Sequence, residues 1–90
     1  MTKIYIYCLF DSTKQDSFRG VYSSLKAIHR DALKLANRGY SQVLMFDPNG
    51  EIIEPTLVNL RNIFKGKCDT SVSYRTNRSI VTIYKTRLKE

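Results

Sequence analysis

Apolar and polar positions alternate along the start of the chain. In Lys3–Phe10, Ile4, Ile6, Cys8 and Phe10 share one face, and Tyr5, Tyr7 and Leu9 share the other. Period two is the pattern of a strand, and two largely apolar faces predict an interior one, with Cys8 reading as a small core residue. The polar stretch 11–17 predicts a loop. Phe18–Tyr22 predicts a second short strand, hairpin-paired with the first.

The period then changes. Leu25, Ile28, Ala32 and Leu35 recur at helical spacing, with Ala36 beside them. They form the core-facing stripe of a helix capped by Ser23 or Ser24 and stopped at Asn37-Arg38-Gly39. Gln42–Phe46 and 51–54 predict two strands around the turn Asp47-Pro48-Asn49-Gly50. Thr56 is the expected N-cap of a shorter helix burying Leu57, Leu60, Ile63 and Phe64, with Gly66 as its stop. The chain closes on a third hairpin, Thr70–Arg75 and Ser79–Leu88, bent at Thr76-Asn77-Arg78. A three-residue bend places Val72, Tyr74, Ile80 and Tyr84 on one face. A two-residue bend pairs Val72 with Val81. A one-residue slip exchanges the faces, so the pattern alone leaves this register open.

The element order is ββαββαββ. Three hairpins separated by helices predict an α+β fold, a mostly antiparallel sheet with two helices on one face, forming a single compact domain over residues 1–90. At 90 residues and 10.4 kDa there is room for one core, burying roughly 60–68% of the surface that the unfolded chain exposes. No apolar run is long enough for a membrane-spanning helix, and the first ten residues are too short and too tyrosine-rich for a secretory leader. The expected location is therefore cytoplasmic, with no membrane partner and with reduced Cys8 and Cys68.

Charge changes the picture. The chain carries 15 Lys plus Arg against 8 Asp plus Glu, a net of +7. Residues 1–55 contribute only +1 of this, and residues 56–90 contribute +6. Like charge concentrated in this way costs self-repulsion that folding alone does not require, which points to an anionic partner. Within the nearly neutral half, Lys26, Arg30, Lys34 and Arg38 stand four apart along the first helix, opposite its apolar stripe, with Asp31 as the nearby acid. Arg61 and Lys65 repeat the spacing on the second helix, followed by Lys67. The last hairpin interleaves bases with aromatics: Arg75, Arg78, Lys85 and Arg87 with Tyr74 and Tyr84. Cations neutralise phosphates and release counterions, and tyrosine rings offer platforms for stacked bases.

Catalytic equipment is sparse. Two cysteines and one histidine, with no C-x-x-C, leave a zinc site without ligands, and no glycine-rich phosphate loop can be drawn through the four glycines. Asp47, Glu51 and Glu54 gather around the middle hairpin, but Glu51 and Glu54 would point to opposite faces of a strand. His29, on the flank of the first helix, reads as a boundary packing residue. No catalytic residue, metal or cofactor is expected.

Two resemblances rest on the first 38 residues. Phe18-Arg19-Gly20-Val21-Tyr22-Ser23-Ser24, between a tyrosine-rich strand and an alanine-containing helix, resembles the GVYSS strand-to-helix junction of small uncharacterised bacteriophage proteins, and implies a small viral protein without assigning an activity. Ile4-Tyr5 and Val21-Tyr22-Ser23-Ser24 also look like the paired tyrosine motifs of GIY-YIG nucleases, with Arg30 near that family's helix arginine. Lys3 and Ser23 stand where the motifs have glycine, and only Glu54 offers itself for the metal-binding glutamate.

These features lead to one expectation. The chain is a non-catalytic, basic binding protein that engages nucleic acid or a nucleoprotein complex through its C-terminal half, joined by the line Lys26/Arg30/Lys34/Arg38. The alternative is a protein-binding inhibitor or modulator of a host enzyme, docking the same cations on an acidic or nucleic-acid-binding surface. A metal-dependent nuclease is the remote third reading. The last hairpin also offers an edge through which a homodimer could pair strands, though nothing in the sequence requires one.

Overall fold

The structure is a computed structural model and describes residues 4–37 and 42–88. Six strands and two helices follow one another as β1 (Tyr5–Asp11), β2 (Ser17–Tyr22), α1 (Leu25–Ala36), β3 (Leu44–Phe46), β4 (Ile52–Ile53), α2 (Leu57–Phe64), β5 (Thr70–Arg75) and β6 (Ile80–Arg87). This is the α+β, ββαββαββ arrangement that the pattern predicts. All six strands join one antiparallel sheet in the order β2-β1-β6-β5-β3-β4.

The last strand is therefore central. β6 pairs with the whole of β1 on one side and with β5 on its other side. This corrects the expectation of an exposed edge in the last hairpin: both arms are flanked, and the sheet edges are β2 and β4. Closing the sheet must await β6, the last strand of the chain, and such non-local pairing is slow to form.

The hairpin register is also settled. Arg75 pairs with Ile80 and Val72 with Ile83, so four residues, Thr76 to Ser79, form the bend. Thr76 builds it: its N–H donates to the Ser79 carbonyl at 2.9 Å, and its Oγ1 accepts from the Arg78 and Ser79 N–H groups. The pairing differs from both predicted registers. It lies two residues from the Val72–Val81 option and so keeps that option's faces, because side chains alternate with period two.

Both helices cover the face that carries Leu9, Met45, Val72, Tyr74, Val81 and Ile83. Ile28, Ala32 and Ala36 are the fully buried stripe of α1, and Leu60 and Phe64 that of α2. Alanine at two of the α1 positions lets that helix approach the sheet closely. Burying one Leu- or Phe-sized side chain contributes about 1.5–3 kcal/mol, so the eleven buried apolar residues among those described dominate stability. Tyr7 stacks on Phe64, ring centroids 5.9 Å apart, and fixes α2 over β1. Cys8 lies on the other face with Ile6 and Phe10, which corrects its reading as a core residue.

The caps follow the sequence. Ser24 accepts from the Ala27 N–H, and Thr56 from the Asn59 N–H. Gly66, just past α2, has φ +70° and Gly50, in the Asp47 turn, φ +86°, where a side chain would be strained. Asp47 proves to be a turn-builder: its Oδ1 accepts from the Asn49 and Glu51 N–H groups at 2.9 and 2.8 Å. No helix among the described residues is long and apolar enough to cross a membrane.

Candidate nucleic-acid interface

Helix α1 packs its apolar stripe inward, and this forces Lys26, Arg30 and Lys34 outward. All three are exposed and line one depression between α1 and the first turn of α2, with His29 on its wall and Leu57 on its far side. A neighbouring depression joins Leu25 of α1 to Arg61 and Lys65 at the far end of α2. The helices touch, and their cations line two separate depressions, one along α1 and one at the far end of α2. Lys67, just past α2, is exposed next to it.

Asp31, the acid of α1, is already engaged. Its Oδ2 accepts from the Tyr22 hydroxyl at 2.6 Å and its Oδ1 from Arg30 Nε at 3.2 Å. Tyr22 and Arg30 hold its carboxyl below the usual carboxylate range, and the same hydrogen bond pushes the Tyr22 hydroxyl up. Arg30 remains largely exposed, so this ion pair is solvent-screened and leaves the positive line in place.

The C-terminal cations do not form one surface. Arg75 lies on the opposite, uncovered sheet face, its guanidinium carbon 4.7 Å from the centre of the Phe46 ring, and Arg78 is exposed at the hairpin tip. Arg87 is exposed at the end of β6, paired with Tyr5. Arg38 lies outside the described residues.

Lys85 is a correction. It points into the helix-covered face, is only 6% exposed, and donates from Nζ to the Phe64 carbonyl at 2.6 Å while lying 4.4 Å from the centre of the Tyr5 ring. It caps the C-terminal end of α2, where a cation also meets the negative end of the helix dipole, and it is no phosphate contact.

Tyr74 is a second correction. It is 0% exposed and cannot present its ring to a base. Its hydroxyl meets Nδ1 of His29 at 2.5 Å, with the rings edge to face. Burial pushes the Tyr74 hydroxyl up and the His29 imidazole down, so both groups of this hydrogen bond are held in their neutral forms. His29 is thus the packing residue expected at the flank of α1, with the added task of satisfying a buried hydroxyl. Helical spacing could place it near the core boundary. Only the fold could supply its partner 45 residues away. Tyr84 is half-buried on the uncovered face, and its hydroxyl donates to Asp69 at 3.0 Å, which pushes it up.

Among the described residues no three His, Cys, Asp or Glu side chains come together as a metal site. Of the nuclease-like positions, Tyr22 and Arg30 converge on Asp31, while Tyr5 lies over Lys85 and Glu54 is exposed before α2. Comparison with protein-family models, with curated proteins and with solved structures finds no match to this chain.

Proposed function

We propose that the protein is a non-catalytic binding module whose helical layer engages the phosphate backbone of nucleic acid. The observation that carries this reading is the line Lys26, Arg30 and Lys34, exposed together on α1 around one depression, with Asp31 consumed by Tyr22 and Arg30 and with Arg61 and Lys65 exposed on the adjoining helix α2. Arranged in this way, cations fit a regularly spaced polyanion and read charge rather than base identity. The contact surface is the helical layer rather than the C-terminal half as a whole.

The test is fluorescence anisotropy of a labelled random oligonucleotide, single-stranded and duplex, titrated with the protein at several salt concentrations. Affinity that falls steeply and linearly in log–log form supports the reading. A flat salt response, or no binding at low salt, refutes it. Capture of a stoichiometric protein from a nuclease-treated lysate by the same helical cations would instead assign the layer to an acidic protein surface, the inhibitor reading.

A further inference from the structure

The two faces of the sheet differ sharply. One is covered by the helices, and the other is covered by no element among the described residues. The uncovered face carries Ile6, Cys8 and Phe10 of β1, Phe18 and Val21 of β2, Phe46 of β3 and Ile52 of β4, around a hydroxyl-bearing centre of Ser71, Ser73, Thr82 and the half-buried Tyr84. Phe18, Val21 and Ile52 are 59%, 55% and 59% exposed, and Phe10 and Phe18 already pack edge to face at 5.8 Å. These exposed apolar side chains stand on the two edge strands of the sheet, where solvent would otherwise meet them.

Its charges identify the occupant. Arg75 stands at one end of β5 and Asp69 just beyond the other, both on this face. Asp69 is held there by the Tyr84 and Thr86 hydroxyls at 3.0 and 2.9 Å. A positive and a negative group at opposite ends of one strand are self-complementary. A two-fold axis lying between two such sheets, crossing the strands at the level of Val72, brings each Arg75 over the other copy's Asp69. A nucleic-acid occupant would want the cations on this face, whereas they are concentrated on the helical layer. With those cations turned away, the repulsion of two copies at +7 is also least here.

The area suffices. At ~3.3 Å by ~4.8 Å per strand residue, the six strands have a footprint of about 500 Å², so two faces cover about 1,000 Å², the size at which specific interfaces begin. Ser73 and Thr82 leave room at the centre beside Tyr84, whose ring is turned toward Asp69, and the aromatic and branched side chains of β2, β3 and β4 close the rim.

We propose that the uncovered sheet face is the interface of a homodimer, a sandwich in which β5 of each copy lies antiparallel over β5 of the other, with Arg75 of one copy against Asp69 of the other. Such a dimer leaves both basic helical layers on the outside, so it stands independently of the phosphate-binding reading.

Sedimentation equilibrium across the micromolar range tests it. The expected mass is twice 10.4 kDa, reverting to one chain in Thr82→Arg, which places like charges in the middle of the interface. Arg75→Asp alone is expected to dissociate the dimer, and Asp69→Arg/Arg75→Asp to restore it. Circular dichroism checks that each variant is folded, and a second central variant, Ser73→Arg, stands in should Thr82→Arg not fold. A wild-type monomer throughout the range overturns the proposal, as does a dimer that survives both central arginines or a charge swap that fails to restore association. A protein that stays monomeric but loses oligonucleotide binding in Thr82→Arg also overturns it and assigns the face to nucleic acid.

Discussion

Replacing Lys26 and Lys34 together by glutamine separates a binding role for the helical layer from a structural one. Both side chains are exposed, and glutamine is a good helix former. If Lys26, Arg30, Lys34, Arg61 and Lys65 each neutralise one phosphate, the log–log salt slope on duplex DNA is about −4.5, and a fourfold rise in salt costs about 500-fold in affinity. Removing two contacts leaves a slope of about −2.7 and a loss of about 40-fold over the same range. Folding should respond in the opposite direction. The Lys26–Arg30 and Arg30–Lys34 spacings are like-charge i,i+4 pairs, each destabilising a helix by about 0.2–0.5 kcal/mol, and the variant loses both. Lys34 also attracts Asp31, which offsets part of the gain, so Tm should be unchanged or slightly raised. Anisotropy titrations with thermal melts of the same samples provide the check. A weakened affinity with the wild-type salt slope would refute phosphate contact by these lysines, and a clear fall in Tm would show them to be structural.

The remaining predictions address the interior. His29, the chain's one histidine, has its pKa lowered below the ordinary 6.5 by burial. The unfolded chain therefore takes up the proton first as pH falls, so stability should drop as pH goes below about 6.5, and His29→Gln should flatten that dependence in denaturant melts across pH 5–7.5. Tyr74→Phe removes the hydrogen-bond partner of His29 Nδ1 and should cost about 1 kcal/mol by urea unfolding. Lys85→Met should leave the salt slope of oligonucleotide binding unchanged, because the ammonium group is spent on the Phe64 carbonyl; a slope lowered by one contact would restore Lys85 to the interface. Gly66→Ala, at φ +70°, should destabilise by about 1 kcal/mol in the same urea assay, and an unchanged midpoint would contradict the left-handed stop of α2.

Much of the fold was legible locally. The stripe Ile28/Ala32/Ala36, the pair Leu60/Phe64, the caps Ser24 and Thr56 and the Asp47 turn each depend on residues within a few positions of one another, where spacing and side-chain chemistry act directly. The exposed line on α1 was legible for the same reason: a helix that buries one stripe must expose the opposite one. The cations of the last hairpin were less so. Lys85 and Tyr84 are neighbours in sequence, yet one faces the core and the other the open face, and which is which depends on hairpin register.

The sequence by itself therefore determined the elements, their order, the α+β class and the polarity of each helix, because these follow from periodicities shorter than an element. Tertiary structure alone decided that β6 lies between β1 and β5, that Tyr74 finds His29, that Lys85 caps α2, and which sheet face the two helices cover. Each of these depends on strand pairing between distant segments. A strand's alternation shows that it has two faces, but not which of them two helices will cover.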